Sequence, residues 1–514
     1  MPGKSSDQTL DQAFELPEVL VAVSTSRLSC KRAGKTRTLM PVWDSSGESQ
    51  FEIGSTKFGR RQPCRMQRFA KRALMGAGNS MAKKASGEEE KTLWEKLHYP
   101  KCVENGCWAQ ISRPRPKGPL MLKLKEVDAN LSRRIKDDGV MSFHLTGCTG
   151  HYGIPAPGQA VAEAMAAQAK DARAGGGSEA AKAVAFFFHL GDMIYKDPDK
   201  ENPEREDMQK LFNEQFYTTY KDYPREIFAI PGNHDGKTKD KDGKSAIDHF
   251  MMNFCTLNRH ISNDNLNSSE RKTMIQPYPY WLFRTPLAYF VGLYTNDVNA
   301  GQLDDPESNE TPQFNWLVET LKEIRKEDSG RAIFLAIHYP PFSGASNFPE
   351  RGNPNLGPTK HTRVLKPLAK ILQEAFKASK LYPDAVFSAH AHHYQRLTYR
   401  CADGREIPYL IVGSGGHTPV ESLAERCDGS LATPPTPRQF SGLSVAPAGF
   451  AFPVGESAQM VKFNDKEHGF LRMTLDLKRR LLLGEYFVAY RARRSIRPAV
   501  RDSFTLDLKR HRIS

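Results

Sequence analysis

Five short segments carry residue types that bind metals and move protons. They are Gly147-Cys148-Thr149-Gly150, Gly191-Asp192-Met193-Ile194-Tyr195, Gly232-Asn233-His234-Asp235, Leu335-Ala336-Ile337-His338 and Ala389-His390-Ala391-His392. A carboxylate such as Asp192 can bridge two cations with its two oxygens. The imidazoles of His338, His390 and His392 suit Zn, Fe or Mn, and the amide oxygen of Asn233 is a neutral, hard ligand. Two metals about 3.5–4 Å apart hold a hydroxide between them and clamp the oxygens of an in-line phosphoryl displacement. His234, beside the carboxylate of Asp235, is suited to protonate a leaving oxygen. Taken one at a time these residues are ordinary: Asn-His makes a turn, Gly-Asp starts a loop and Asp235 can cap a helix. Their order, each after an apolar stretch, is what calls for a metal site.

The elements that must position them alternate in type. Val140 to Leu145 reads as a strand, Gln159 to Ala174 as a helix, Ala183 to Leu190 as a buried strand and Glu206 to Tyr220 as a helix. Ile227 to Ile230 is the next strand, Gln313 to Lys326 a helix, Ala332 to Ile337 a strand, Thr362 to Ala378 a helix and Ala385 to Ser388 a strand. After residue 395 short strands dominate: Leu397 to Arg400, Ile407 to Val412, Phe470 to Leu475 and Leu481 to Val488. Lys237 to Lys244 and Ser430 to Pro453 read as loops. The alternation indicates an α/β architecture, in which ligands gather where strands end.

The chain has 514 residues, 39% of them hydrophobic and 10% aromatic, enough for a real core. Its longest apolar run, Ala183 to Phe188, has strand length and falls far short of a membrane helix. Eight Cys are too few for a disulfide scaffold, and Met1 to Leu10 is polar, so the expectation is a soluble cytoplasmic protein. The net charge of +14 sits at the ends: residues 1–80 hold 13 Lys/Arg against 7 Asp/Glu, and 478–514 hold 11 against 3. Nucleic-acid binding through these ends predicts a steep salt dependence. No aromatic-interleaved motif accompanies the charge, which favours a solvated surface and a loose arm. Residues 1–80 are expected to be a poorly ordered basic extension and 81–137 a segment without an assigned role. Cys102 and Cys107 with His98 make a poor metal knuckle, because no second Cys pair follows.

The ordered set resembles the calcineurin-like metallophosphoesterase superfamily, and among its branches the purple acid phosphatases. Their pattern is GDxG, GDxxY, GNH followed by Asp or Glu, VxxH and GHxH; this chain offers GCTG, GDMIY, GNHD, LAIH and AHAH. Gly413-Ser414-Gly415-Gly416-His417 resembles a later glycine loop of that branch, and Asp502-Ser503-Phe504 its C-terminal end. The resemblance implies a domain over 138–514 made of two packed mixed sheets flanked by helices, a four-layer αββα sandwich with the site at one end. It implies a first metal held by Asp192, Tyr195 and His392, and a second held by Asn233, His338 and His390. Asp192 would bridge the two, with His234 as the acid. The activity implied is a hydrolase acting on phosphomonoesters or phosphodiesters of a small-molecule or macromolecular substrate, by attack of a metal-bridging hydroxide.

Cys148 stands where GDxG has its metal-binding Asp. A thiolate binds Zn or Fe, so Cys148 is either a ligand that favours softer ions or a small buried hydrophobe. His151, in the loop, and His144, mid-strand, lie close enough in sequence to compensate, His151 being the better placed. His393 and His417 are candidates for the substrate pocket. Leu335 for Val and Ala389 for Gly remove no ligand. The runner-up function is a catalytically silent descendant that keeps the fold and binds a phosphorylated ligand or partner.

Overall fold

The computed structural model describes residues 31–32, 35–36, 116, 119–151, 155–170, 183–196, 207–236, 246–295, 312–344, 368–420, 423, 445, 450–492 and 495–514. Met1–Ser80 and Met81–Ser514 form separate units. In the first, β1 (Lys31–Arg32) and β2 (Lys35–Thr36) pair antiparallel. The expected extension at 1–80, the cluster of His98, Cys102 and Cys107 and the loop at Lys237 to Lys244 otherwise lie outside the described residues.

Two mixed sheets face each other in the second unit. The larger has the order β13 (Ser457–Asn464), β11 (Tyr394–Arg400), β12 (Glu406–Val412), β10 (Ala385–Ser388), β9 (Ala332–Ala336), β8 (Ala288–Gly292), β7 (Trp281–Arg284) and β3 (Met121–Lys123). The smaller runs β17 (Arg512–Ile513), β16 (Ser495–Asp507), β15 (Leu481–Ala492), β14 (Gly469–Asp476), β4 (Val140–Thr146), β5 (Val184–His189) and β6 (Glu226–Ala229). Every residue of β5 is buried, as befits a strand flanked by parallel neighbours and covered on both faces. Between the sheets Phe143 of β4 meets Phe290 of β8, Phe334 of β9 and Phe387 of β10 at centroid distances of 4.9, 5.7 and 6.2 Å. Such contacts add offset and edge-to-face attraction to the burial itself. Helix Ala156–Lys170 packs on the smaller sheet, and helices Pro312–Glu327 and Leu368–Ser379 pack on each other. The two flanked mixed sheets implied by the motifs are present.

The elements depart from the expected ones in instructive places. The single helix over 206–220 is an α-turn, Met208–Phe212, followed by a π-turn, Asn213–Tyr217, which brings Gln215 into the interior. The helix expected over 159–174 starts earlier, at Ala156, and residues 171–174 lie outside the described ones. The strand at 397–400 begins at Tyr394. Ala129–Asp138 is a helix without a named sequence signal, yet its ends are well marked. Asp128 caps it by accepting from Leu131 N (2.8 Å), and Gly139 closes it at φ 70°. Strands β3, β7, β8, β13 and β16 and helix Ala246–Phe254 also had no expectation.

Candidate metal centre

The loops after β4, β5, β6, β9 and β10 meet at one end of the sandwich. Two of them are zipped together: Cys148 N donates to Gly191 O (2.9 Å) and Thr149 N to Asp192 O (3.0 Å). The glycine loop joins from the other side, with Gly415 N donating to Gly147 O (3.2 Å) and His417 N to Cys148 O (3.0 Å). Packing is so close that a Cβ on Gly191, at φ +92°, would lie 2.4 Å from Gly232 N. Three of the expected ligands, Cys148, Asp192 and His390, sit at left-handed φ of 53°, 57° and 64°. Non-glycine residues in that region are held there by their surroundings, and such strain clusters at functional sites.

Asp192 is at the centre of the contacts. Its Oδ1 accepts from His234 N (2.7 Å), and its Oδ2 accepts from Tyr195 Oη (2.9 Å) and lies 3.2 Å from His338 Nε2. Burial alone would raise the carboxyl, but His338, His234 and His390 together hold it well below the usual range. His338 is fully buried, with Nδ1 on the Leu190 carbonyl at 2.8 Å. In the neutral ring that bond places the proton on Nδ1, so Nε2 turns a lone pair toward Asp192 Oδ2 and toward Asn233 Oδ1, 3.1 Å away. Asn233 Oδ1 also meets His390 Nδ1 at 3.0 Å. Acceptors facing one another need a shared positive charge, which a proton on His338 Nε2 or a bound cation supplies. Burial pulls His338 down, but Asp192 outweighs it and the net shift is upward.

The second cluster holds Tyr195, His392 and Cys148. Tyr195 Oη is 3.1 Å from His392 Nε2 and within bonding reach of the Cys148 thiol. Burial, then the charges of Asp192 and Cys148, push the phenol well above its ordinary value. Cys148, Asp192 and His338 offer three ligand atoms within 4.8 Å of one another, a group that could hold a metal ion. Seven expected ligands therefore converge. His234, His390 and His392 are half-buried whereas Cys148, Asp192, Tyr195, Asn233 and His338 are buried, so the cluster opens on the histidine side.

Asp235 is wholly buried and accepts three main-chain N–H groups, from Asp192 (2.7 Å), Met193 (3.0 Å) and Gly232 (2.8 Å). It ties the β5 and β6 loops together. Burial and the Asp192 charge raise its carboxyl to about 7, against the pull of the Gly232 and Met193 amides. The His234 ring lies tilted against Tyr195 (4.1 Å between centroids), and His417 stacks on Tyr195 at 3.7 Å.

Of the remaining candidates, His144 is buried between Tyr223 Oη and Gln168 Oε1, both at 3.2 Å, and burial lowers it to about 3. Its role is structural. His151 keeps both ring nitrogens buried and without a hydrogen bond, and burial lowers it. His393 turns to Gln395 Nε2 (2.5 Å), which in turn binds Ser343 Oγ. Asp502 receives Arg396 through both oxygens and Tyr394 Oη, joining β16 to β11.

Sequence reasoning missed the glutamines that hold the loops. Gln215 accepts from Tyr195 N (2.8 Å) and His151 N (2.9 Å) and donates to Tyr195 O (2.9 Å). Gln276 clasps Ala229 at both main-chain groups, and Gln313 does the same to Tyr294. Also missed was His189, which accepts from Gly191 N (3.1 Å) and binds Thr149 Oγ1 (2.8 Å), bridging the loops of Cys148 and Asp192. No spacing rule marks such residues, since their partners are main-chain groups far away in sequence.

No curated protein matches the chain significantly. A solved structure titled "GAP50 the anchor in the inner membrane complex of Plasmodium" superposes with a TM-score of 0.41 at 13% identity, over 68% of this chain and 84% of that one. Residues 151–394, which carry four of the five motifs and end two residues past His392, match the family model for calcineurin-like phosphoesterases, and that superfamily is thereby supported for this part of the chain.

Proposed function

We propose that this chain is a metal-dependent phosphoesterase that cleaves phosphomonoesters or phosphodiesters, with two ions disposed as in purple acid phosphatases. The observation that carries the reading is the convergence of His338 Nε2 on Asp192 Oδ2 and Asn233 Oδ1 at 3.2 and 3.1 Å, beside Cys148. Asp192, Asn233, His338 and His390 would hold one ion; Asp192, Tyr195, His392 and Cys148 would hold the other. Fe, Zn or Mn suits this nitrogen and oxygen set, and the Cys148 thiolate favours the softer of them. When bound, the pair supplies positive charge for the phosphoryl oxygens and a nucleophile at neutral pH. His234, fixed at its N–H by Asp192 and half-buried, carries the proton for the leaving oxygen. Asp235 acts through the three amides it accepts, as a positioning residue. The Leu190 carbonyl fixes the His338 tautomer.

Elemental analysis of the purified protein, with turnover of an aryl phosphate in the same sample, tests this. Two metals per chain with turnover that His390→Ala abolishes is the expected result. One metal or none, with no turnover after adding Fe, Zn or Mn, would sink it. A silent, phosphate-binding descendant would then take its place, a reading that draws on the wholly buried Cys148 at the position of an acid.

A further inference from the structure

The glycine loop that ends at His417 is wedged between two neighbours. A Cβ on Gly415 would lie 2.4 Å from Gly147 O, and one on Gly416, at φ +151°, would lie 2.4 Å from Gly158 Cα in helix Ala156–Lys170. Its main chain already joins it to the Cys148 loop, through Gly415 N and His417 N. Joining the loops therefore does not need the His417 side chain, yet that side chain is buried, at 6% exposure, and held in one orientation. Its Nδ1 lies 3.2 Å from the Gly150 carbonyl, which only accepts, so that nitrogen carries a proton. Its ring lies nearly parallel to Tyr195, with 3.7 Å between centroids and 18° between planes. The same ring meets His392 edge to face, at 4.5 Å and 63°.

Tyr195 needs such a neighbour. Gln215 holds its main chain, and Asp192 Oδ2 and His392 Nε2 hold its Oη at 2.9 and 3.1 Å. None of these sets the plane of the ring. The χ2 torsion of a tyrosine is broad, and rotation about it leaves Oη in place while turning the lone pairs of that oxygen. A flat ring stacked at 3.7 Å removes this freedom, because the phenol cannot turn without driving its edge into the imidazole. His234 lies against Tyr195 as well, but tilted by 35°, so the nearly parallel ring of His417 is the one that matches the phenol plane.

We infer that His417 is a positioning residue that sets the plane of the Tyr195 phenol, and with it the bond Tyr195 offers to the ion it shares with His392. The inference rests on the metal-binding part of the proposed function and not on turnover. The full chain loaded with Fe(III) alone tests it, through the visible phenolate-to-iron charge-transfer band. The energy and intensity of that band follow the overlap between the oxygen lone pair and the metal, and Tyr195→Phe identifies it by removing it. At saturating iron His417→Phe, which keeps a flat ring, should retain the wild-type band. His417→Ala and His417→Leu, which do not, should shift or weaken the band and lower iron affinity by about 10–100-fold, the range for residues that orient a metal ligand. Circular dichroism checks the fold of each variant; where the Ala variant does not fold, the Leu and Phe variants are compared, since both fill the space. A band unchanged in the Ala or Leu variant, or absent from the wild type, overturns the inference. Equal loss in the Phe variant overturns it as well, because the flat ring would then not be what acts. Turnover of an aryl phosphate is measured separately: a band that depends on His417 in a protein without turnover would leave the inference standing and remove the phosphoesterase reading.

Discussion

Gln215→Leu is the perturbation that most directly asks whether the loops are held as described. Leu fills nearly the same volume but removes three hydrogen bonds: two acceptors, to Tyr195 N and His151 N, and one donor, to Tyr195 O. Gln215 is 3% exposed, so the Tyr195 groups lose their partners without water to replace them. A buried main-chain group left unpaired costs about 1–3 kcal/mol, and His151 N, in a half-buried residue, costs less because water reaches it. The sum is about 2–5 kcal/mol of local destabilisation. At about 1.4 kcal/mol per tenfold, a central value near 3 corresponds to a hundredfold or more. Hydrogen exchange followed by mass spectrometry reads this locally, which matters in a chain of two units that need not unfold as one. The peptide spanning 190–196 should exchange at least a hundredfold faster in Gln215→Leu, with β15 and β12 unchanged. Gln215→Glu, which keeps both acceptors, should fall between the two. Exchange within threefold of wild type would refute the clamp, because the Tyr195 amide would then be held by something other than Gln215.

Three further outcomes are expected. Cys148→Asp should retain or raise turnover of an aryl phosphate and Cys148→Ala should lower metal content; equal metal content in wild type and the Ala variant ends the ligand role. Gly191→Ala, whose Cβ would lie 2.4 Å from Gly232 N at φ +92°, should cost about 2–5 kcal/mol from strain and overpacking. A thermal midpoint unchanged from wild type would show that the two loops can part. Asp384 has its carboxyl raised to about 6 by burial, against the Ile333 amide that donates to it. The folded chain thus keeps a proton between pH 4 and 6 that the unfolded chain has lost. That stabilisation is present in full below the ordinary carboxylate value and is lost as pH rises through about 6, at most about 3 kcal/mol in all. Urea midpoints from pH 4 to 7 should fall in wild type and stay flatter in Asp384→Asn; parallel profiles contradict the assignment.

Local chemistry made the centre of the fold legible and left its margins obscure. β5 announces itself as five consecutive buried apolar or aromatic positions before His189, and each expected metal-binding residue follows a strand that its own hydrophobicity reveals. The motifs therefore marked the side chains that the fold brings together before any distance was known. β13 has scarcely a buried residue, and β3 is three residues long, so neither had a pattern to read. The π-turn at 213–217 was read as plain helix because its cause, the inward Gln215, depends on a loop twenty residues earlier. The basic C-terminal stretch misled by adjacency in sequence: strand pairing sends its halves to opposite ends of one sheet. Positions of main-chain groups are settled by tertiary packing, and no spacing in the chain encodes them.

The placement of β14 has a consequence for how the chain is made. β4 lies between β5 and β14, and β14 begins more than 320 residues after β4 ends. A ribosome delivering this chain therefore releases β4, β5 and β6 long before one flank of β4 has a partner. Over that interval an apolar strand presents open main-chain groups, the kind of edge that recruits other chains. The loop of Cys148 waits as well, since Gly469 and the Gly413–His417 loop that brace it belong to the last quarter of synthesis. The end that gathers Cys148, Asp192 and His338 is thus among the last parts of the molecule to be completed, and its assembly is set by the slow, long-range closure of the sheet.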